Sequence, residues 1–154
     1  MQKVMKKLAV LCGAAVLAGC VASGNGELAL ATLETPNNLR AERWVPKTFV
    51  QVQRAVFQHQ AACKVNIKFQ VDDLHPSYAR VFMNRNPEAG QDTKNVKDVM
   101  VLGLQRLDGM PSKGRVYSYY KPTDDQIQQL YDAVLLPTLC PGDPRPPEPA
   151  KDKD

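Results

Sequence analysis

The sequence predicts an α+β domain of two layers: a four-stranded antiparallel sheet with one helix before it and one after it, both packed on the same face. Three observations carry this. Residues Val65-Asn66-Ile67-Lys68-Phe69-Gln70-Val71 alternate apolar and polar without a fault, the mark of a strand with one buried and one wet face. Three further β-rich runs follow, separated only by turn and loop segments, and strands so connected pair with their neighbours as a meander. Helical periodicity precedes the first run and follows the last, an order that gathers helices on one side of a sheet.

In chain order, Pro46 to Ala62 (PKTFVQVQRAVFQHQAA) places Phe49, Val52 and Val56, with Cys63 just beyond, on one broad side of a helix, and Val50, Phe57 and Ala61 beside them. Pro46 suits the first turn, where its missing N–H is no loss. A period-two reading of Phe49 to Gln53 competes at the start of this segment, and helix fits the whole better. After the alternating strand, Asp72-Asp73-Leu74-His75-Pro76-Ser77 is turn chemistry, and Tyr78 to Asn84 is a second strand paired to the first. A polar loop, RNPEAGQDTKN, leads to Val99 to Leu107, a third strand apolar enough to be central, with Gly103 weakening it or marking a bulge. Arg115 to Lys121 (RVYSYYK) makes the fourth, its tyrosines suited to a half-buried pleat.

Thr123-Asp124-Asp125-Gln126 then has the form of a capping box, with two acids favourably placed at the positive end of the helix dipole. Ile127, Leu130, Tyr131, Val134 and Leu135 follow at helical spacing and the helix stops at Pro137. The domain is expected over 46–140. PGDPRPPEPAKDKD, 141–154, is too rich in proline and charge to pack and is expected to be disordered.

The first twenty residues, MQKVMKKLAVLCGAAVLAGC, set Lys3, Lys6 and Lys7 before the apolar run Leu8 to Leu17 and end in Leu17-Ala18-Gly19-Cys20. This order is that of an export signal, and the segment resembles the lipobox of bacterial lipoproteins. The resemblance implies cleavage after a signal peptide of residues 1–19, a diacylglycerol on the thiol of Cys20 and an acyl chain on its new amino group. Residues 20–45 then read as a lipidated tether, about 25 flexible residues with a reach of roughly 25–30 Å, along which Leu28, Leu30 and Leu33 could dock as an irregular strand. Trp44 is expected to pin the tether to the domain. Val21, not aspartate, follows Cys20, which by the enterobacterial sorting rule implies the outer membrane, with the domain facing the periplasm.

Removing the signal changes the chemistry of what remains. Three lysines leave with it, so the chain's +4 becomes seventeen basic residues against sixteen acids, +1, which gives no electrostatic case for nucleic acid. Cys12 is discarded with the signal and Cys20 takes lipid, leaving Cys63 and Cys140 in an oxidising compartment, where they are expected to pair and staple the layers together. Such a loop stabilises the fold by about 4 kcal/mol in the chain-entropy model.

Candidate catalytic groups are few. Asp72, Asp73 and His75 could make a metal or acid/base site, but a surface turn needs these residues for its own hydrogen bonds. His59 falls at the edge of the first helix's apolar side and is expected to be partly exposed. Ser77, Ser112 and Ser118 lack a nucleophile-elbow motif, and no phosphate loop or dinucleotide fingerprint is present. The reading is therefore of a non-enzymatic module without cofactor or metal, bound to the membrane by its lipid and to an envelope protein by its surface. Tyr117, Tyr119, Arg115 and Tyr78, on the sheet face opposite Val116 and Tyr120, form the candidate binding surface. The alternative is a pocket between helices and sheet for a lipid, glycan or other small molecule.

Overall fold

A computed structural model describes residues 30–87, 95–106 and 112–146. The predicted signal peptide, Cys20 and the tail beyond 146 lie outside the described residues. The fold is α+β, with strands β1 (Leu39–Val45), β2 (Ile67–Val71), β3 (Tyr78–Asn84), β4 (Val99–Gln105) and β5 (Ser112–Ser118). Helix α1 (Phe49–Cys63) lies between β1 and β2, and α2 (Asp124–Leu135) follows β5. All pairings are antiparallel and the order is β1-β5-β4-β3-β2.

The sheet has five strands where the sequence predicts four. The extra strand, β1, lies inside the segment read as tether. Its LRAERWV carries charges at three of seven positions in or beside the turn of its pleat, and it is an edge strand, so only Ala41 and Val45 join the core beneath the helices. That leaves too little apolar alternation to announce a strand. β5 begins three residues earlier than expected, because β1 supplies it with a partner from Ser112 onward.

Helix α1 starts at Phe49, not in the turn of Pro46. Thr48 caps it: the Thr48 hydroxyl accepts from the Gln51 amide (3.3 Å) while Gln51 Oε1 accepts from the Thr48 amide (2.8 Å). The Thr123–Gln126 box at α2 is formed as expected, at 3.2 and 3.0 Å. The two helices cover one sheet face. Val52 and Val56 of α1 and Leu130, Tyr131 and Val134 of α2, each 0 % exposed, meet Ile67, Val81, Leu102, Leu104 and Val116, also 0 %. Fully removing such side chains from water contributes about 1.5–3 kcal/mol each. Tyr131 spends its hydroxyl on the Gly114 carbonyl (3.2 Å), and burial pushes its phenol up to about 12. Cys63, the last residue of α1, is bonded to Cys140 beyond α2, with Cα atoms 5.2 Å apart.

The opposite sheet face is covered as well. Residues 30–33 are helical and lay Leu33, 0 % exposed, among Phe82, Val99, Val101 and Tyr117. β4 is therefore buried on both sides. Gly103 is what lets this face close: a Cβ there would lie 2.0 Å from the Tyr78 hydroxyl and 2.9 Å from the carbon bearing it.

Two measurements follow from this packing. Reducing the Cys63–Cys140 bond, which spans 77 residues, should lower the free energy of urea unfolding by up to about 4 kcal/mol, and thiol labelling before reduction should modify neither cysteine. Gly103→Ala should destabilise by about 1–3 kcal/mol through overpacking. In a Tyr78→Phe background that loss should shrink, and a strictly additive double mutant would disprove the steric account.

Candidate functional site

The residues chosen from sequence fall on the predicted face but not in the predicted setting. Val116 is fully buried under the helices and Tyr120 packs on the same core, so Tyr117 points the other way, as alternation requires. It does not reach water. Tyr117 is 7 % exposed because Leu33 and Leu30 lie over it. Tyr78 is half-buried and its hydroxyl donates to Glu34 Oε1 (3.0 Å), an arrangement that, with burial, pushes its phenol far above the usual range. Only Tyr119, 36 % exposed, and Arg115 remain at the surface among the four. The exposed tyrosine patch is thus corrected: the chain just before β1 occupies the place that a partner was expected to take.

The same segment ends in a charge cluster. Arg80 donates from Nε and Nη2 to the two Glu34 oxygens (2.8 and 2.9 Å) and from Nη1 to Asp72 Oδ2 (2.6 Å), all three side chains being largely buried. Arg80 also lies over the Tyr78 ring, 4.8 Å from its centroid. Burial opposes its charge, and the two carboxylates outweigh that, holding the guanidinium protonated. Asp72, bonded foremost by Arg80, is held well below the usual carboxylate range.

The uncovered half of this face lies along β1 and β5. In the register Trp44 stands opposite Lys113 and Glu42 opposite Arg115. Glu42 accepts from Lys113 Nζ and Arg115 Nε, both at 2.7 Å, and its carboxyl is lowered by those two bonds. Trp44 is 56 % exposed. It does not serve as the buried anchor expected of it, because β1 turns its side chain away from the helices and beyond the reach of Leu33.

Of the candidate catalytic groups, Asp72 and Ser112 are held in local hydrogen bonds. Asp72 Oδ1 accepts from the amides of Leu74 (3.0 Å) and His75 (2.9 Å) and lies 3.3 Å from His75 Nδ1, closing the turn. Asp73 and His75 are exposed. Ser77 is exposed on the same turn, Ser112 donates to the Lys47 carbonyl (3.3 Å), and Ser118 is fully buried. Among the described residues no group of three or more His, Cys, Asp or Glu is placed to hold a metal.

His59 is corrected from partly exposed to buried, at 2 %. The segment after α2 folds back across it: His59 Nδ1 lies 3.1 Å from the Pro137 carbonyl, which can only accept, and 3.6 Å from Cys63 Sγ. Burial lowers its pKa, and because the Pro137 carbonyl can only accept, Nδ1 is the nitrogen that carries a proton toward it. His59 lines a cleft of about 500 Å³ with Asp132, Cys140 and Arg145. There Asp132, 5 % exposed, accepts from Gln128 (2.9 Å) and from Arg145 (3.0 Å), part of the segment expected to be disordered. This cleft opens between the outer side of α2, with His59 of α1, and the 139–145 segment, not between helices and sheet.

An apolar surface that the sequence assigned to the core lies on the outer side of α1. Only Val52, Ala55, Val56 and His59 of that helix are buried. Val50 is 66 % and Phe57 59 % exposed, since a helix lying flat on a sheet beside a second helix buries a narrower stripe than its apolar residues could fill. With Arg54 and Ala61 they recur at i, i+4, i+7 and i+11, and Gln53 and Gln58 complete a shallow groove of about 480 Å³. No protein-family model matches this chain, and neither does any curated protein or solved structure.

The charge cluster predicts a pH response. Asp72 has a lower pKa folded than the roughly 3.9 of an unfolded aspartate, so its stabilisation is complete above that value and is lost as pH falls through the folded pKa. Acid titration of unfolding should show wild type losing stability below about pH 4, and Asp72→Asn, less stable at pH 7, declining less steeply. Parallel curves would remove Asp72 from the account.

Proposed function

We propose that the protein is a lipoprotein of the bacterial envelope, anchored to the outer membrane through Cys20 with its domain in the periplasm, and that it acts without chemistry of its own by docking another envelope protein. The observation that carries the docking is the Val50, Phe57 and Ala61 stripe on α1. Two exposed large apolar side chains two helical turns apart, flanked by Arg54, Gln53 and Gln58, have the mixed apolar and polar make-up of a protein interface. Its position supports the same reading. α1 covers one face of the sheet, and the segment that continues toward Cys20 is pinned to the other, so a partner on α1 would not compete with the anchor.

A ligand held between helices and sheet is the weaker reading. The side chains meeting there, Val52, Val56, Leu102, Leu104, Leu130 and Tyr131, are each 0 % exposed, and both surface hollows described above lie outside that layer.

The test is made in intact cells. A photoreactive amino acid at position 57 should give a discrete adduct of defined mass, which is lost with Val50→Asp and unchanged with the same probe background carrying Lys68→Gln on the far edge strand. Separately, Cys20→Ala should leave the membrane fraction and lose acyl label. A Cys20→Ala protein that still fractionates with the membrane refutes the anchor, and an absent or Val50-independent adduct refutes the docking surface.

A further inference from the structure

Building on the lipidation of Cys20 proposed above, we infer that the open half of the second sheet face, Trp44 with Lys113 and Arg115 around Glu42, rests against phospholipid headgroups and sets the orientation of the domain on the membrane.

The first argument is the length of the tether and where it ends. Leu30 stands ten positions after Cys20, a span of at most about 33–36 Å at full extension. A domain of this size has a radius of gyration of about 13 Å, hence a diameter of about 34 Å, so even at full stretch the tether spans no more than about one domain diameter. Its end is fixed in place. Leu33 is fully buried against Phe82, Val99, Val101 and Tyr117, and Glu34 is clamped by Arg80. The lipid therefore leaves from the face opposite the helices, and a short tether turns that face to the bilayer.

The second argument is the chemistry left uncovered there. Leu33 and Glu34 close the β3–β4 side of this face and the Tyr117 end of β5, and the Trp44–Lys113 end of β1 and β5 stays open, with Trp44 56 % exposed. An indole has an apolar body and one N–H donor, a combination that partitions to the headgroup level of bilayers. Opposite it is Lys113, and next along the strands are Arg115 and Glu42. Two cations share one carboxylate, which leaves one positive charge and several N–H donors for phosphate oxygens.

Trp44 is the only tryptophan, so its emission reports on this face alone. The acylated protein, purified from membranes, is reconstituted into vesicles of phosphatidylethanolamine and phosphatidylglycerol with or without lipids brominated near the headgroup. A second protein, Trp44→Phe with Phe57→Trp, reports from α1. Trp44 should lose at least half of its emission to bromine and the α1 reporter less than a tenth, and Lys113→Glu should restore part of the Trp44 signal. Quenching of the α1 reporter with Trp44 spared, or of neither, overturns the inference. The mass of the purified protein separates the two levels: acyl groups on Cys20 with an unquenched Trp44 refute the orientation only, and a chain without acyl groups refutes the anchor on which it rests.

Discussion

The constraint on which the rest depends is that β4 is apolar on both of its faces. Met100, Leu102 and Leu104 face α1 and α2, and Val99 and Val101 face the other way, all buried to about 1 % or less. A strand of this kind cannot have a wet side. β4 also stands in the middle of the five strands, so the sheet must be covered on two faces. The two helices supply one cover. The other, among the described residues, is the helical segment 30–33 with Leu33, which comes before the first strand.

Leu33 and Leu30 pack on Phe82, Val99, Val101 and Tyr117, and farther along the same face other groups follow. Next to Leu33 the pleat carries the Glu34–Arg80–Asp72 cluster. Ion pairs removed from water gain little net stability, because desolvation offsets most of their attraction. Their geometry is specific, however: a guanidinium that meets both Glu34 oxygens fixes where the covering segment ends. Farther along, the Glu42, Lys113 and Arg115 group is solvated and the pleat stays open. One face thus passes from apolar to ionic to wet, and each part matches the residues that β3, β4 and β5 present to it.

The α+β class, both main helices, four of the strands and the Cys63–Cys140 pair were legible in the sequence, because each rests on a local signal or on simple elimination. The alternation of 65–71 and the Thr123 capping box are of that kind. β1 was not legible, since Arg40, Glu42 and Arg43 leave an edge strand without apolar contrast and its identity depends on pairing with β5 more than sixty residues later. The run at 99–104 did signal a central strand. Its further implication, that something had to cover the second face, could have been drawn from its lack of alternation, and Leu30 and Leu33 were the available candidates. The docking of these leucines is expected from sequence only as an irregular strand with no face assigned, where the structure has a helical segment over Tyr117, and that difference is what placed Tyr117 and Tyr78 in water. The opposite error occurred on α1, where Val50 and Phe57 share the helical period of the core, yet periodicity does not say how wide a stripe the neighbouring layers will take up. His59 was misplaced because the Pro137–Arg145 segment that buries it is irregular.

The pairing of β1 with β5 has a consequence for biogenesis. The two strands come from opposite ends of the domain, so the sheet cannot be completed until Tyr117 has been made available to Leu39. Contacts that close so long a loop form late and slow the folding of a small domain. Until then the β3–β4–β5 pleat lacks its leucine plug, and the edge of β5 lacks its neighbour, which is the kind of exposed strand that recruits other chains.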